Sequence, residues 1–301
     1  MTKITLCPGP GAKIEEWQSS QKEYFGRGDK EYLKIKKKTY SWLKKKTGKK
    51  NIIAIPGAGT TAAYIAFKNF LNKKILIVKT GYYSERWIKL CSQIFEKKNL
   101  FICNFDDLDK INFKVDWVIF VYVETAECKI FDIKKIYNFK NKKKCKLMLD
   151  ATASIGLEKN HNLADVMFFS SCKGLFGPTG LGFIAYDNLK KNNNLNFFDN
   201  LITYEKSMFT MGYNCMAALF KISKKHKFYF SRLLYTRKLL LKYSRNKRNP
   251  IIGLDINFKL KKKKNIIYYK PRDKKSFQPI FFLGFIKFSK KNIKKAIENL
   301  I

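Results

Sequence analysis

Short apolar runs alternate with helix-length amphipathic stretches through the first two thirds of the chain. Ile52 to Ile55 reads as a strand, and Pro56-Gly57-Ala58-Gly59 then turns into a helix over Thr60 to Leu71. Ile75 to Val78 is the next strand, followed by a helix from Ser84 to about Lys98 and a strand over Leu100 to Asn104. Trp117 to Val123 is a strongly apolar strand and Phe131 to Phe139 a helix. Lys146 to Leu149, Val166 to Phe169 and Leu181 to Tyr186 are three further strands. Strands joined by helical crossovers predict an α/β fold with a mostly parallel, seven-stranded sheet covered on both faces. The last three strands have short or glycine-rich connections, which leaves room for an antiparallel member.

After Asn214 the pattern changes. A long helix is expected from Cys215 through Tyr243, interrupted near His226. Strand-like pieces at Ile251 to Phe258, Ile266 to Tyr269 and Ile280 to Phe285 follow, then a closing helix from Lys290 to Leu300. This divides the chain into a large α/β domain, residues 1–215, and a small α+β domain, residues 216–301.

Hydrophobic residues make up 46% of the 301 and aromatic residues 15%, which excludes a disordered chain despite the charge. The formal net charge of +39 invites a nucleic-acid reading. The lysines, however, are spread along the whole length, as at 44–46, 142–144 and 261–264, without zinc-finger spacing, an RNP-like motif or a helix-turn-helix. Such charge gives non-specific affinity only, so no specific nucleic-acid partner is expected. No apolar run reaches the length of a membrane span, and the N-terminus lacks the apolar core of a signal peptide. A cytoplasmic protein with no membrane partner is expected. The seven cysteines form no C-x-x-C pair, and with only His161 and His226 beside them no metal site is expected.

The candidate chemistry rests on two residues. Lys173 lies in Ser170-Ser171-Cys172-Lys173-Gly174, between small residues and a glycine-rich turn, where a flat cofactor could approach closely and its aldehyde form a Schiff base. Asp150 ends the strand that begins at Lys146 and could hold the ring nitrogen of the same cofactor. Pyridoxal 5′-phosphate (PLP) needs both groups, because its ring acts as an electron sink when protonated at nitrogen. Gly57-Ala58-Gly59-Thr60 opens a helix, whose free N–H groups suit a phosphate. Gly81-Tyr82-Tyr83 places aromatics at the next strand end, and Glu124-Thr125 follows the strand ending at Val123. Each of these is weak alone; a tyrosine or a glycine turn there is more often plain packing.

In order, these segments resemble the class V, fold-type I, PLP-dependent aminotransferases, and most closely the branch of 2-aminoethylphosphonate–pyruvate and alanine–glyoxylate aminotransferases. The likeness begins at Pro8-Gly9-Pro10. It runs through Gly57-Ala58-Gly59-Thr60, Gly81 to Arg86, Glu124-Thr125, Asp150 to Ser154 and the Lys173 segment to Phe281-Phe282-Leu283-Gly284. The resemblance implies that Lys173 holds PLP and shuttles the substrate proton, that Asp150 pairs with the ring nitrogen, and that Tyr83 stacks on the ring. It further implies Thr152 on the opposite face, Thr125 on the ring hydroxyl, Cys172 beside the lysine, and Ala58, Gly59 and Thr60 on the phosphate. Thr210 matches a threonine that the family supplies from a neighbouring subunit, so a homodimer is implied. The partners implied are a small amine or amino acid and a keto acid or aldehyde, with a 2-aminoethylphosphonate-like amine as the specific expectation.

Three departures from the family pattern stand out. Cys172 replaces a hydrogen-bonding Asn, Gln or His, and Ala58 replaces a serine of the phosphate site. Phe282 stands where the family carries the arginine that clamps a substrate carboxylate; Arg272 is a possible substitute. A cysteine desulfurase is disfavoured because no cysteine follows Cys215. A PLP-dependent lyase, or a degenerate member with a binding role, stays as the alternative, since fold does not fix reaction.

Overall fold

Seven runs rich in β-branched and aromatic residues pair into one sheet: β1 (Asn51–Gly57), β2 (Ile75–Lys79), β3 (Leu100–Asn104), β4 (Trp117–Val121), β5 (Lys146–Asp150), β6 (Val166–Ser170) and β7 (Gly180–Tyr186). The computed structural model describes residues 4–9, 14–206, 212–245, 248–257, 260–261, 264–269 and 278–301. The strand order is β1-β7-β6-β5-β4-β2-β3. Only β7 runs against the rest, pairing antiparallel with both β1 and β6. The glycine-rich connection after β6 is short enough to return the chain without a crossover helix, which is why the antiparallel strand falls there.

Eight helices accompany the sheet among the described residues: α1 (Glu15–Ser20), α2 (Lys30–Thr47), α3 (Gly59–Phe70), α4 (Tyr82–Ile94), α5 (Ile133–Lys143), α6 (Leu201–Lys206), α7 (Tyr213–Leu240) and α8 (Lys290–Glu298). Strand residues alternate between the two faces, as the period of two requires. Leu76, Val118, Phe120, Leu147, Leu149 and Phe169 pack with apolar residues of α2, α5 and α7. Ile77, Ile119, Met148, Phe168 and Ile184 pack with those of α3 and α4. A further cluster joins the later half of α7, α8, Ile4, Leu6 and the segment from Ile280 to Ile286.

The helix α2 was not expected from the sequence. Its buried positions, Tyr32, Ile35, Thr39, Leu43 and Thr47, follow helical spacing, but lysines crowd the intervening positions and mask the stripe. Both ends are specified locally. Asp29 accepts from the N–H groups of Glu31 and Tyr32 (2.7 and 3.0 Å), and Gly48 closes the helix in the left-handed region at φ 68°.

The expected interruption of the long helix near His226 is absent: α7 is continuous through that residue. No glycine or proline lies in it to break the ladder, and the polar ring is satisfied inside the protein. His226 Nε2 bonds the Gly174 carbonyl at 3.0 Å. The division expected after residue 215 falls within the first turn of this helix. Two strands end earlier than the apolar pattern suggests. β4 stops at Val121, and Val123–Glu124 turns away to pair with Lys129–Ile130. The late strand covers Gln278–Phe281 and pairs with Gly253–Ile256, after which the chain turns.

Phe282 lies in that turn and is fully buried, its N–H donating to the Ile252 carbonyl at 3.0 Å. An arginine at this position would enter an apolar cluster rather than a cavity wall. Phe282→Arg should therefore lower the unfolding free energy by at least about 3 kcal/mol, through lost packing and an unpaired buried charge. Chemical denaturation measures this; unchanged stability would place the side chain outside the core.

Candidate active site

Parallel strands bring their carboxyl ends to one edge, and that is where ligands bind in open α/β sheets. Antiparallel β7 contributes its first residues to the same edge, with Gly180 opposite Gly57 and Gly182 opposite Ser170. A cavity of about 170 Å³ opens there, walled by residues following β1, β2, β4, β5 and β6.

Asp150 ends β5 and is buried. Its Oδ2 accepts from the indole N–H of Trp87 at 3.0 Å, and its Oδ1 from the Thr152 N–H at 2.8 Å. Burial pushes its carboxyl upward; the Thr152 and Trp87 hydrogen bonds and the charge of Lys173 pull the other way. Trp87 is itself fixed edge-on against Phe67 (5.9 Å) and Phe168 (5.2 Å). The carboxylate is thus aimed by a rigid aromatic wall.

Lys173 enters from the turn after β6, with its Nζ 5.1 Å from the centre of the Tyr83 ring. That turn is closely packed. A side-chain carbon at Gly174 would sit 2.2 Å from the Ile155 carbonyl oxygen, so the backbone passes where only glycine fits. The Gly174 carbonyl is held by His226, and Phe176 donates its N–H to the Lys173 carbonyl at 2.9 Å. Gly9 from the N-terminal segment packs on the same turn, where an added carbon would meet Lys173 Cγ at 3.0 Å.

Tyr83 lies in the first turn of α4, and its N–H donates to Glu124 Oε2 at 2.8 Å. The other oxygen of Glu124 accepts from the Ala126 N–H at 3.1 Å, so one fully buried carboxyl ties the aromatic wall to the turn carrying Thr125. Burial pushes Glu124 up to about 7, more than the two backbone hydrogen bonds recover, and nearby Asp150 and Glu127 add to the rise. Ala58 precedes α3, Gly59 and Thr60 begin it, and Thr61 Oγ1 accepts from the Ala58 N–H at 3.3 Å. A side-chain carbon at Gly59 would come within 3.2 Å of Thr152 Oγ1, which keeps this end of the helix open.

The cavity therefore brings together Ala58, Gly59, Thr60, Tyr83, Asp150, Thr152, Cys172 and Lys173. Thr125 is not in its wall; it is buried, with a hydroxyl that has no hydrogen-bond partner. Thr210 and Arg272 lie outside the described residues. Arg86 and Trp87 also line the cavity, and sequence reasoning gave neither a role. The signal for Trp87 was its place four residues after Tyr83, on the same helix face.

The class-V aminotransferase family model matches residues 17–197. This chain belongs to the class-V aminotransferase family. Sequence comparison with curated proteins finds no match. Solved structures share the fold at low identity. An aspartate aminotransferase of subgroup IV from Thermus thermophilus is 14% identical, with TM-score 0.83 over 98% of this chain and 97% of that one. Pyridoxamine–pyruvate aminotransferase from Mesorhizobium loti is 14% identical, TM-score 0.82, over 100% and 91%. An alanine–glyoxylate aminotransferase from Nostoc sp. is 15% identical, TM-score 0.82, over 99% and 94%. The aminotransferase is accordingly a PLP-dependent enzyme.

The residues present fit that cofactor. A lysine and a buried carboxylate share one cavity beside a helix N-terminus, and the Thr125 hydroxyl is buried without a partner. Among the described residues no helix is long and apolar enough to cross a membrane, and no cluster of metal-ligating side chains occurs.

Glu124 gives a pH signature. Its folded-state pKa is raised from the ordinary 4.5 to about 7, so the folded aminotransferase holds this proton more tightly than the unfolded chain. Its contribution is full below about pH 4.5 and is lost as pH rises toward 7. Relative to Glu124→Gln, wild-type unfolding free energy should fall by about 3 kcal/mol across that window. A pH-independent difference in denaturation experiments would contradict it.

Proposed function

We propose that this aminotransferase moves an amino group from a small amine to a keto acid or aldehyde, with Lys173 as the cofactor-bearing lysine and proton carrier. The observation that carries the reading is the placement of Lys173 and buried Asp150 on one cavity, beside the Tyr83 ring and the start of α3. PLP, when bound, supplies an electron sink for the substrate carbon that carries the amine. Asp150 keeps a proton on the ring nitrogen. Lys173 would take the proton from the substrate Cα and return it on the other side of the exchange. With PLP bound, Tyr83 and Thr152 would hold the ring, and Cys172 would line the wall beside the lysine. Thr125, which is not part of the described cavity wall, would be the residue assigned to the ring hydroxyl, and Ala58, Gly59 and Thr60 would surround the phosphate.

The donor we favour is an amine without an α-carboxylate, of the 2-aminoethylphosphonate kind. Phe282 is buried in an apolar cluster and offers a substrate carboxylate no charge-assisted pair. An amine lacking the α-carboxylate does not call for the missing clamp. A homodimer, with Thr210 reaching the partner's phosphate site, belongs to the same proposal. So does a cytoplasmic location, supported by seven free thiols, five of them buried.

Absorbance titration of the holoprotein with a panel of amines tests this. 2-Aminoethylphosphonate should replace the visible band of the lysine-linked cofactor by that of pyridoxamine phosphate, and a keto acid should restore it. Lys173→Ala should show no such exchange. A visible band that disappears without stoichiometric pyridoxamine phosphate would contradict amino transfer and favour a lyase.

A further inference from the structure

The phosphate end of the cavity receives little from Ala58. Ala58 has no hydroxyl, and its N–H is already engaged by Thr61 Oγ1. What α3 presents is the N–H groups of its first turn and the hydroxyl of Thr60. A helix N-terminus offers only a fraction of a positive charge to a dianion.

Arg86 stands beside that end. Its Nη1 lies 3.4 Å from Thr60 Oγ1, and its guanidinium carbon sits 5.6 Å and 5.2 Å from the ring centres of Tyr82 and Tyr83. The two rings flank the guanidinium, and its hydrogen bond to Thr60 points it to α3. The adjacent acid does not compete for it, because Glu85 pairs with Lys79 at 3.2 Å. The base of the side chain is equally fixed. Ser84 Oγ accepts from the N–H groups of Thr80 and Gly81, and Glu124 anchors Tyr83.

We infer that Arg86 is a ligand of the cofactor phosphate, supplying from α4 the charge and hydrogen bonds that Ala58 does not. Thr60 bridges the two: its oxygen accepts from Arg86, which leaves its proton for a phosphate oxygen. The inference rests on the PLP reading above and adds to it one residue and one selectivity. Arg86 recognises the phosphate, not the ring and not the substrate.

Pyridoxal, which has the same ring and aldehyde but no phosphate, separates these roles. Dissociation constants for PLP and pyridoxal are measured by absorbance on the full chain for wild type, Arg86→Gln and Arg86→Lys. Arg86→Gln should weaken PLP by about ten- to a hundredfold while pyridoxal changes less than about threefold. Arg86→Lys, which keeps the charge but not the planar fork, should lose less. Equal weakening of both ligands would assign Arg86 to the ring or to the fold, and unchanged PLP affinity would remove it from the phosphate; either overturns the inference. Wild-type protein that binds PLP no more tightly than pyridoxal would instead overturn the phosphate site itself, and the inference with it.

Discussion

A carboxylate buried at the end of a central strand dominates this structure. Asp150 is taken out of water at the cost that burial always imposes on a charge, and two neutral donors, Trp87 and Thr152, offset part of it. The charge of Lys173 contributes a smaller share than the Thr152 hydrogen bonds. A buried acid so incompletely compensated is poised for a cation, and a protonated ring nitrogen is one. The surroundings follow from this. Trp87 must be rigid to aim the carboxylate, so it is wedged between Phe67 and Phe168, and α4 must be anchored to carry Trp87.

The sheet supplies the geometry that makes such an arrangement possible. Strands β1, β2, β4, β5 and β6 end at one edge, so five separate stretches of chain each deliver a group to the same cavity. The turn after β6 is locked by Gly174 against Ile155 and by His226 from the middle of α7. Continuity of α7 thus matters to the site: a break at His226 would free the carbonyl that steadies the lysine turn. Glu124 does the corresponding work on the other wall, joining Tyr83 to the Thr125 turn through its two oxygens.

Much of this was legible in the sequence because strands buried on both faces write themselves as short apolar runs. All seven strands of the sheet were found as apolar runs, although the edge strand β3 is half exposed, and eight of the residues that line the cavity were among the candidates at the strand ends. The lysine-dense helix α2 escaped because its apolar stripe is narrow and lysines crowd the positions between. The break expected near His226 did not materialise because what satisfies the ring, the Gly174 carbonyl, lies far away in sequence. Trp87 and Glu124 stayed hidden for the same reason: their importance comes from partners 63 and 41 residues distant. Phe282 shows the limit of motif matching, since its place in a pattern did not disclose that it packs in a core.

The central claim is that Asp150 holds a protonated ring nitrogen opposite Lys173. NMR of the holoprotein carrying PLP isotope-labelled at that nitrogen reads its protonation directly. The account predicts a protonated ring in the wild-type aminotransferase at neutral pH and loss of that proton in Asp150→Ala, with the cofactor still bound. An unprotonated ring in the wild type, or a ring that keeps its proton without Asp150, would contradict it.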